Sequence, residues 1–231
     1  MIKKLCVYLF LLVITPFAAR AEIQAYDEIV SLGYGCQVAW QLETNGLRKA
    51  AYPFDWFHTS FDSLMAFIQH KGEHFLEWNH IWIVEPYPGD TGRFHVVDLL
   101  YGIHSYHDFL SMPPMANYND IKTKYDRRIN RFFELLNSNK KILFVREGFT
   151  REQVEQLDLL FQTLYPTLSY TILAVSDDEA FYEDWGLERI RNFYIQQKAW
   201  NWMGDFARWK EILDQFCIKH DVSERNPEDV W

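Results

Sequence analysis

Cysteine is scarce in this chain, which has three in 231 residues. Cys6 lies in the N-terminal apolar stretch, and Cys36 and Cys217 are far apart, so a small scaffold held together by disulfides is excluded. Cys217 lies in an apolar helical pattern that predicts a position in the core. A disulfide between Cys36 and Cys217 is the alternative, since an exported protein could form one.

Positive charge is also in short supply. Acidic residues outnumber lysine and arginine by 32 to 23, which gives a formal net charge of −9. An acidic surface repels nucleic-acid phosphates and anionic headgroups, so we expect no nucleic-acid partner. The chain also lacks a GxSxG elbow, a Walker A loop and a GxGxxG turn, which removes the strongest signatures of serine hydrolases and nucleotide-binding proteins.

The first 21 residues have the three regions of a secretory signal peptide. Lys3 and Lys4 precede an apolar stretch over residues 5–17, and residues 19–21 (Ala-Arg-Ala) fit the cleavage pattern. This stretch is too short for a comfortable membrane span, and no later segment is long and apolar enough. We therefore expect cleavage after Ala21, a periplasmic or secreted protein, and no membrane contact afterwards; an uncleaved anchor is the weaker alternative.

Residues 22–231 contain no low-complexity tract, repeat or flexible linker, and we expect them to form one domain. Apolar runs near 29–32, 141–145 and 171–175 predict buried strands, with helical periodicity between them. This alternation predicts an α/β fold with a mainly parallel sheet flanked by helices. Residues 146–148 (Arg-Glu-Gly) and 176–178 (Ser-Asp-Asp) each follow a predicted strand. Sites in parallel sheets lie at these carboxyl ends.

The most informative segment surrounds Cys36. An apolar run ends at Leu32, Gly33 and Gly35 follow, and the residues after the thiol have helical spacing. This order predicts a strand, a tight turn and a helix, with the sulfur at the first helical turn. Glycine permits the sharp turn, and the partial positive charge of a helix start stabilises a thiolate. The segment suits a nucleophile, and a buried structural cysteine has the same pattern.

A nucleophilic cysteine requires a base, and His107 is the best candidate. It follows a short apolar strand, and an imidazole that reaches the thiol would lower the thiol pKa. Asp108 would orient this base, or would instead cap a helix or pair with Arg127 or Arg128. Asp55 is the second candidate for the orienting carboxylate.

Four side chains that could bind a metal lie close together in sequence: His95, Asp98, His104 and His107. Their spacings match no established zinc pattern. We therefore expect neither a metal nor a cofactor.

Together these motifs resemble a bacterial family described as putative papain-like cysteine peptidases (DUF1796). The similarity follows the same order over most of the chain after residue 21. It is carried by Ser31-Leu32-Gly33, Cys36, Ala39, Gly46-Leu47-Arg48, Tyr52-Pro53-Phe54-Asp55-Trp56, Tyr101-Gly102, His107-Asp108-Phe109, Tyr125, Arg127-Arg128, Arg131-Phe132 and Phe144-Val145-Arg146. The resemblance implies Cys36 as nucleophile, His107 as base, and Asp108 or Asp55 as the third member.

Two classes of function are consistent with these features. The first is a thiol hydrolase or acyltransferase that attacks an amide or ester bond, of a peptide for example, through an acyl-enzyme. The second is a non-catalytic or carbohydrate-handling α/β protein, in which Cys36 is structural and aromatic rings stack on a ligand. The reactivity of the Cys36 thiol separates the two.

Overall fold

The structure, a computed structural model, describes residues 23–86, 92–197 and 201–219. The signal peptide predicted over residues 1–21 lies outside the described residues. The helices are α1 (Gln37–Thr44), α2 (Phe61–Gln69), α3 (Tyr118–Leu136), α4 (Arg151–Leu164) and α5 (Phe206–Leu213). The strands are β1 (Gln24–Tyr26), β2 (Glu28–Ser31), β3 (Phe57–His58), β4 (Ile81–Pro86), β5 (Arg93–Asp98), β6 (Ile103–Leu110), β7 (Lys141–Glu147), β8 (Ser169–Ser176), β9 (Ile190–Tyr194) and β10 (Phe216–Ile218).

Four parallel strands form one sheet in the order β2-β7-β8-β9. β7 and β8 are buried along almost their whole length, because helices cover both faces. The strands predicted near 29–32, 141–145 and 171–175 are thus confirmed as neighbours in one parallel sheet. The α/β class is confirmed with them.

The first half of the chain forms a second sheet, whose four strands pair antiparallel in the order β3-β6-β5-β4. The prediction of a mainly parallel sheet therefore holds for β2 and the strands of the second half, but not for β3 to β6. The reason lies in the connections. Only residues 99–102 join β5 to β6, with Gly102 at φ +65°, and a turn this short allows only antiparallel pairing.

Two hydrophobic cores lie on opposite faces of the parallel sheet. The first packs Leu42 of α1 and Trp209 of α5 against Leu143 of β7. The second is rich in aromatic rings and includes Phe144 and Phe161, whose ring centroids are 4.8 Å apart. Within the described ranges, no helix combines the length and the apolar character needed to cross a bilayer.

The C-terminal part differs from the sequence-based expectation. Cys217 does not belong to a helix, because α5 ends at Leu213 and β10 then pairs in parallel with β1. Cys217 and Cys36 are both half-buried free thiols.

Of the five α-helices in the described residues, three begin after a capping side chain, and α1 and α3 do not. Ser60, Thr150 and Asp205 each accept a hydrogen bond from the backbone N–H three residues further on. Cys36 stands at the corresponding position before α1, and its side chain makes no capping hydrogen bond. The sulfur is therefore left for other contacts.

Candidate active site

The turn between β2 and α1 places Cys36 at the start of the helix, as the sequence predicts. Gly33 and Tyr34 both have positive φ, at +81° and +82°. A side chain at position 33 would meet the backbone oxygen of Phe54 at 3.0 Å, so the turn requires glycine there. The second left-handed residue is Tyr34 rather than Gly35. A bulky residue in this region is strained, and such strain is typical of functional sites.

The Cys36 thiol is half-buried, and Sγ lies 3.8 Å from the carbonyl oxygen of Trp56. Burial, with a smaller contribution from the negative charges of Asp108, Glu147 and Asp55, raises the pKa of this thiol to about 11. The expectation that the helix start would hold Cys36 as a thiolate is therefore wrong for the resting protein. Desolvation and three carboxylates outweigh the positive end of an eight-residue helix.

Asp55 is buried and paired. Its Oδ2 accepts hydrogen bonds from Nη2 of Arg48 at 2.7 Å and from Nε at 3.2 Å. The same oxygen accepts the Tyr52 backbone N–H at 3.0 Å, and Arg48 also binds Glu43 at 2.8 Å. Asp55 thus fixes the loop that carries Trp56, the contact partner of the thiol.

Asp108 on β6 is paired with α3. Its carboxylate forms an ion pair with Lys124 and accepts a hydrogen bond from the Tyr125 hydroxyl at 3.0 Å. Ser105 donates to the same carboxylate at 3.0 Å. The partners weighed from the sequence, Arg127 and Arg128, lie on the same helix, but the structure gives this role to Lys124 and Tyr125.

His107 is exposed on β6. Regular alternation does not hold here, because the pairing of β5 with β6 shifts register between Phe94 and Val96, and Ser105 bonds the Asp108 carboxylate three residues further on. The backbone oxygen of His107 accepts a hydrogen bond from Nε of Arg93 at 3.0 Å. Asp55 and Asp108 are thus near enough to Cys36 for their charges to act on the thiol, whereas the His107 side chain is exposed. Its role as base stays a prediction.

Three histidines form a row on β3, β6 and β5. Nε2 of His95 and Nδ1 of His104 are 2.9 Å apart, and the ring centroids of His58 and His104 are 5.7 Å apart. Burial lowers the pKa of all three imidazoles. Asp98 instead accepts the backbone N–H groups of Leu76 and Tyr101. Over the described part of the chain, no three such side chains are placed to hold a metal ion.

Glu147 belongs to the strand end at residues 146–148 where the sequence predicts a site, but sequence reasoning gave it no role of its own. It is the last residue of β7, its side chain is buried, and burial raises its pKa from 4.5 to about 7. Nε2 of Gln197 donates to this carboxylate at 3.4 Å. Its position after an apolar strand was visible in the sequence, but burial, which makes it unusual, depends on residues 50 positions away.

Arg146, beside it, ties the surrounding loops together. Its side chain is buried and donates to the carbonyl oxygens of Leu32 at 2.7 Å and Thr59 at 2.6 Å. Burial lowers the pKa of its guanidinium to about 10. The loop before α1 and the loop before α2 are thereby held at the carboxyl edge of the parallel sheet.

Together these features describe an α/β protein with a cysteine at a helix start and buried carboxylates around it. The chain belongs to the DUF1796 family, described as "putative papain-like cysteine peptidase", whose model matches residues 27–180. It is also 31% identical over 214 residues to "Uncharacterized protein R408" of Acanthamoeba polyphaga mimivirus, a match that covers 80% of this chain and 96% of the viral protein. The family expected from the sequence is confirmed, although this relative comes from a virus. No solved structure matches the chain.

Proposed function

We propose that this chain is a thiol hydrolase or acyltransferase in which Cys36 attacks an amide or ester carbonyl. The main support for this proposal is the position of Cys36 at the start of α1. It follows a strained turn, and its sulfur makes no capping hydrogen bond. The description of the family as peptidases supports the same class of reaction.

The raised pKa of Cys36 determines how the reaction would start. With a pKa of about 11, the resting thiol holds its proton at neutral pH, so a base has to accept the proton as the sulfur attacks. We assign this role to His107. The carbon–sulfur bond forms, and the backbone N–H groups of the first turn of α1, which have no acceptor within the helix, stabilise the oxyanion.

The second half of the reaction returns the proton. The C–N or C–O bond of the substrate breaks, and the imidazolium protonates the leaving group. Water, or an acceptor nucleophile in an acyl transfer, then cleaves the thioester and regenerates the thiol. Of the two carboxylates, we favour Asp108 as the orienting group over Asp55. It adjoins His107 on β6, and its charge acts more strongly on the thiol.

The test is acylation by p-nitrophenyl acetate, followed by the release of p-nitrophenol and by the mass of the Cys36 peptide. We expect an acetylated Cys36 in the wild-type protein. Cys36→Ala abolishes the acyl-enzyme, and Cys217→Ala, the matched control, retains it. His107→Ala slows acylation about 10²- to 10⁴-fold if this imidazole is the base.

The outcomes separate the parts of the proposal. Unchanged turnover in Cys36→Ala would refute the nucleophile and leave the alternative, a non-catalytic or carbohydrate-handling protein with a structural Cys36. Loss in Cys36→Ala with an unchanged rate in His107→Ala would keep the nucleophile and refute the base. An exported setting stays a prediction from residues 1–21, and the intact mass of the exported protein tests it.

A further inference from the structure

A cavity of about 470 Å³ lies where β7 and β8 end. Its floor includes Glu147 and Ser176, the last residues of these two strands, together with Asp177. The volume falls within the range of roughly 300–1,000 Å³ that is typical of small-molecule sites. The carboxyl edge of a parallel sheet is also where ligands bind in open α/β folds.

The polar lining of this cavity is incompletely satisfied. Gln197 donates to Glu147 at 3.4 Å, and Gln37 donates to Gln197 at 3.5 Å, distances at the far limit of hydrogen bonding. In the described part of the chain, this is the one hydrogen bond that the buried Glu147 carboxylate accepts. Side-chain amides offer both donors and acceptors, which is what paired hydroxyl groups require.

The charge of the lining argues against an anionic ligand. Among the described residues around the cavity there is no lysine or arginine. The neighbouring Arg146 is turned away, because its guanidinium donates to the carbonyl oxygens of Leu32 and Thr59. Burial raises the pKa of Glu147 to about 7, so near neutral pH the cavity does not hold two full negative charges that would select a cation.

Two exposed aromatic side chains also line the cavity. Tyr34 is 44% exposed and Trp202 is 58% exposed. Tyr34 keeps a strained backbone, with Gly148 leaving room for its ring: a Cβ at position 148 would lie 3.4 Å from the ring. Trp202 rests edge-on against Trp40 of α1, with ring centroids 6.0 Å apart. Exposed rings beside polar groups suit a ligand with one apolar face and several hydroxyl groups.

The wall opposite Glu147 is anchored to α1. Nε2 of Gln41 donates to the backbone oxygen of Met203 at 2.7 Å, and Asn201 binds the backbone oxygen of Gly204 at 2.7 Å. A Cβ at Gly204 would lie 2.3 Å from Nε2 of Gln37. The close approach of this backbone thus sets the position of the Gln37 amide in the cavity.

We propose that this cavity binds a small neutral carbohydrate, with the side chains of Glu147, Gln37 and Gln197 bonding its hydroxyl groups and Tyr34 and Trp202 contacting its apolar face. The cavity adjoins the Cys36 site, because its lining includes Tyr34, Gln37 and Glu147, but the proposal does not rest on Cys36 being a nucleophile. Trp202 and Gln197 lie beyond residue 180, where the family match ends.

The test uses saturation-transfer NMR on the full chain, followed by calorimetric titration of any probe that binds. The neutral probes are glucose, galactose, mannose, N-acetylglucosamine, maltose and cellobiose. Glucuronic acid and glucose 6-phosphate are the anionic probes, and glucosamine is the cationic one. We expect saturation transfer to at least one neutral sugar and none to the anionic probes.

Substitutions in and outside the cavity test whether the sugar binds there. Trp202→Ala should weaken it about two- to tenfold through loss of ring contact, whereas Trp78→Ala, an equally exposed tryptophan outside the cavity, should leave it unchanged. Glu147→Gln keeps the size of the side chain but cannot ionise. Its affinity for the sugar should therefore change less between about pH 5 and about pH 8 than that of the wild type. The proposal is overturned if no neutral probe binds, if only glucosamine binds, or if Trp202→Ala behaves as Trp78→Ala does.

Discussion

The three carboxylates that act on Cys36 are held in different ways. Asp55 and Asp108 each have a cationic partner, Arg48 and Lys124, and further donors around the same oxygens. Glu147 accepts a single long hydrogen bond from an amide among the described residues, and it faces a cavity. All three raise the pKa of the thiol, and burial raises the pKa of Glu147 itself to about 7.

The difference indicates what each group is for. A carboxylate with its own cation and several donors fixes a geometry, because its bonds are lost if it moves. A buried carboxylate with little compensation changes protonation near neutral pH and has bonding capacity left for a ligand. On this basis Asp55 and Asp108 position the loop and strand around Cys36, and Glu147 is the group available to a bound molecule.

The largest expected effect is on stability, when a satisfied carboxylate is removed. Asp55→Ala leaves the Arg48 guanidinium buried without its main partner, and we expect unfolding free energy to fall by about 3–5 kcal/mol. Glu43→Ala removes the more exposed partner of Arg48 and should cost about 1 kcal/mol or less. Urea unfolding of both variants measures this, and equal losses would contradict the assigned role of Asp55.

The next effect concerns the pH dependence of stability. The pKa of Glu147 is about 7 in the folded protein against an ordinary 4.5, so the folded state retains a proton that the unfolded chain has released. Stability should therefore fall as pH rises from about 5 to about 8, by on the order of 2 kcal/mol more in the wild type than in Glu147→Gln. Parallel pH dependence of unfolding in the two proteins would show that Glu147 ionises normally.

The smallest effect should appear at the thiol. Asp108→Asn removes the largest single charge acting on Cys36, but burial remains, so the pKa of Cys36 should drop from about 11 by about one unit or less. The rate of iodoacetamide alkylation against pH reports this midpoint. Asp126→Asn, an exposed carboxylate of α3 paired with Lys122, is the control and should not shift it. A shift of several units would mean that charge, and not burial, dominates at the sulfur.

Several features follow from the sequence because their signals are local. The unbroken apolar runs near 29–32, 141–145 and 171–175 predict buried strands, and the structure pairs them in one parallel sheet. The glycine at position 33 predicts a sharp turn, and its φ of +81° confirms it. The position of Cys36 at the helix start follows from the same few residues.

Other features of the site could not be derived in this way. The sequence did not predict the antiparallel sheet of the first half, because short apolar runs do not reveal the direction in which strands pair. The sequence placed His107 and Asp108 side by side, but it did not show that the Asp108 carboxylate pairs with α3 while the His107 side chain is exposed. The sequence places Glu147 at a strand end where sites lie, but its burial beside Gln197 depends on contacts made in the folded chain.

By itself, then, the sequence determined the strands near 29–32, 141–145 and 171–175, the turn at Gly33 and the helix start at Cys36, since each depends on residues within a few positions. Only the tertiary structure decided the protonation of the thiol and of Glu147. A pKa depends on the loss of water and on charges that approach through space, and here those come from β6, β7 and the loop at residue 55. The cavity likewise exists only because the ends of β7 and β8 and the segment after β9 meet at one edge of the sheet.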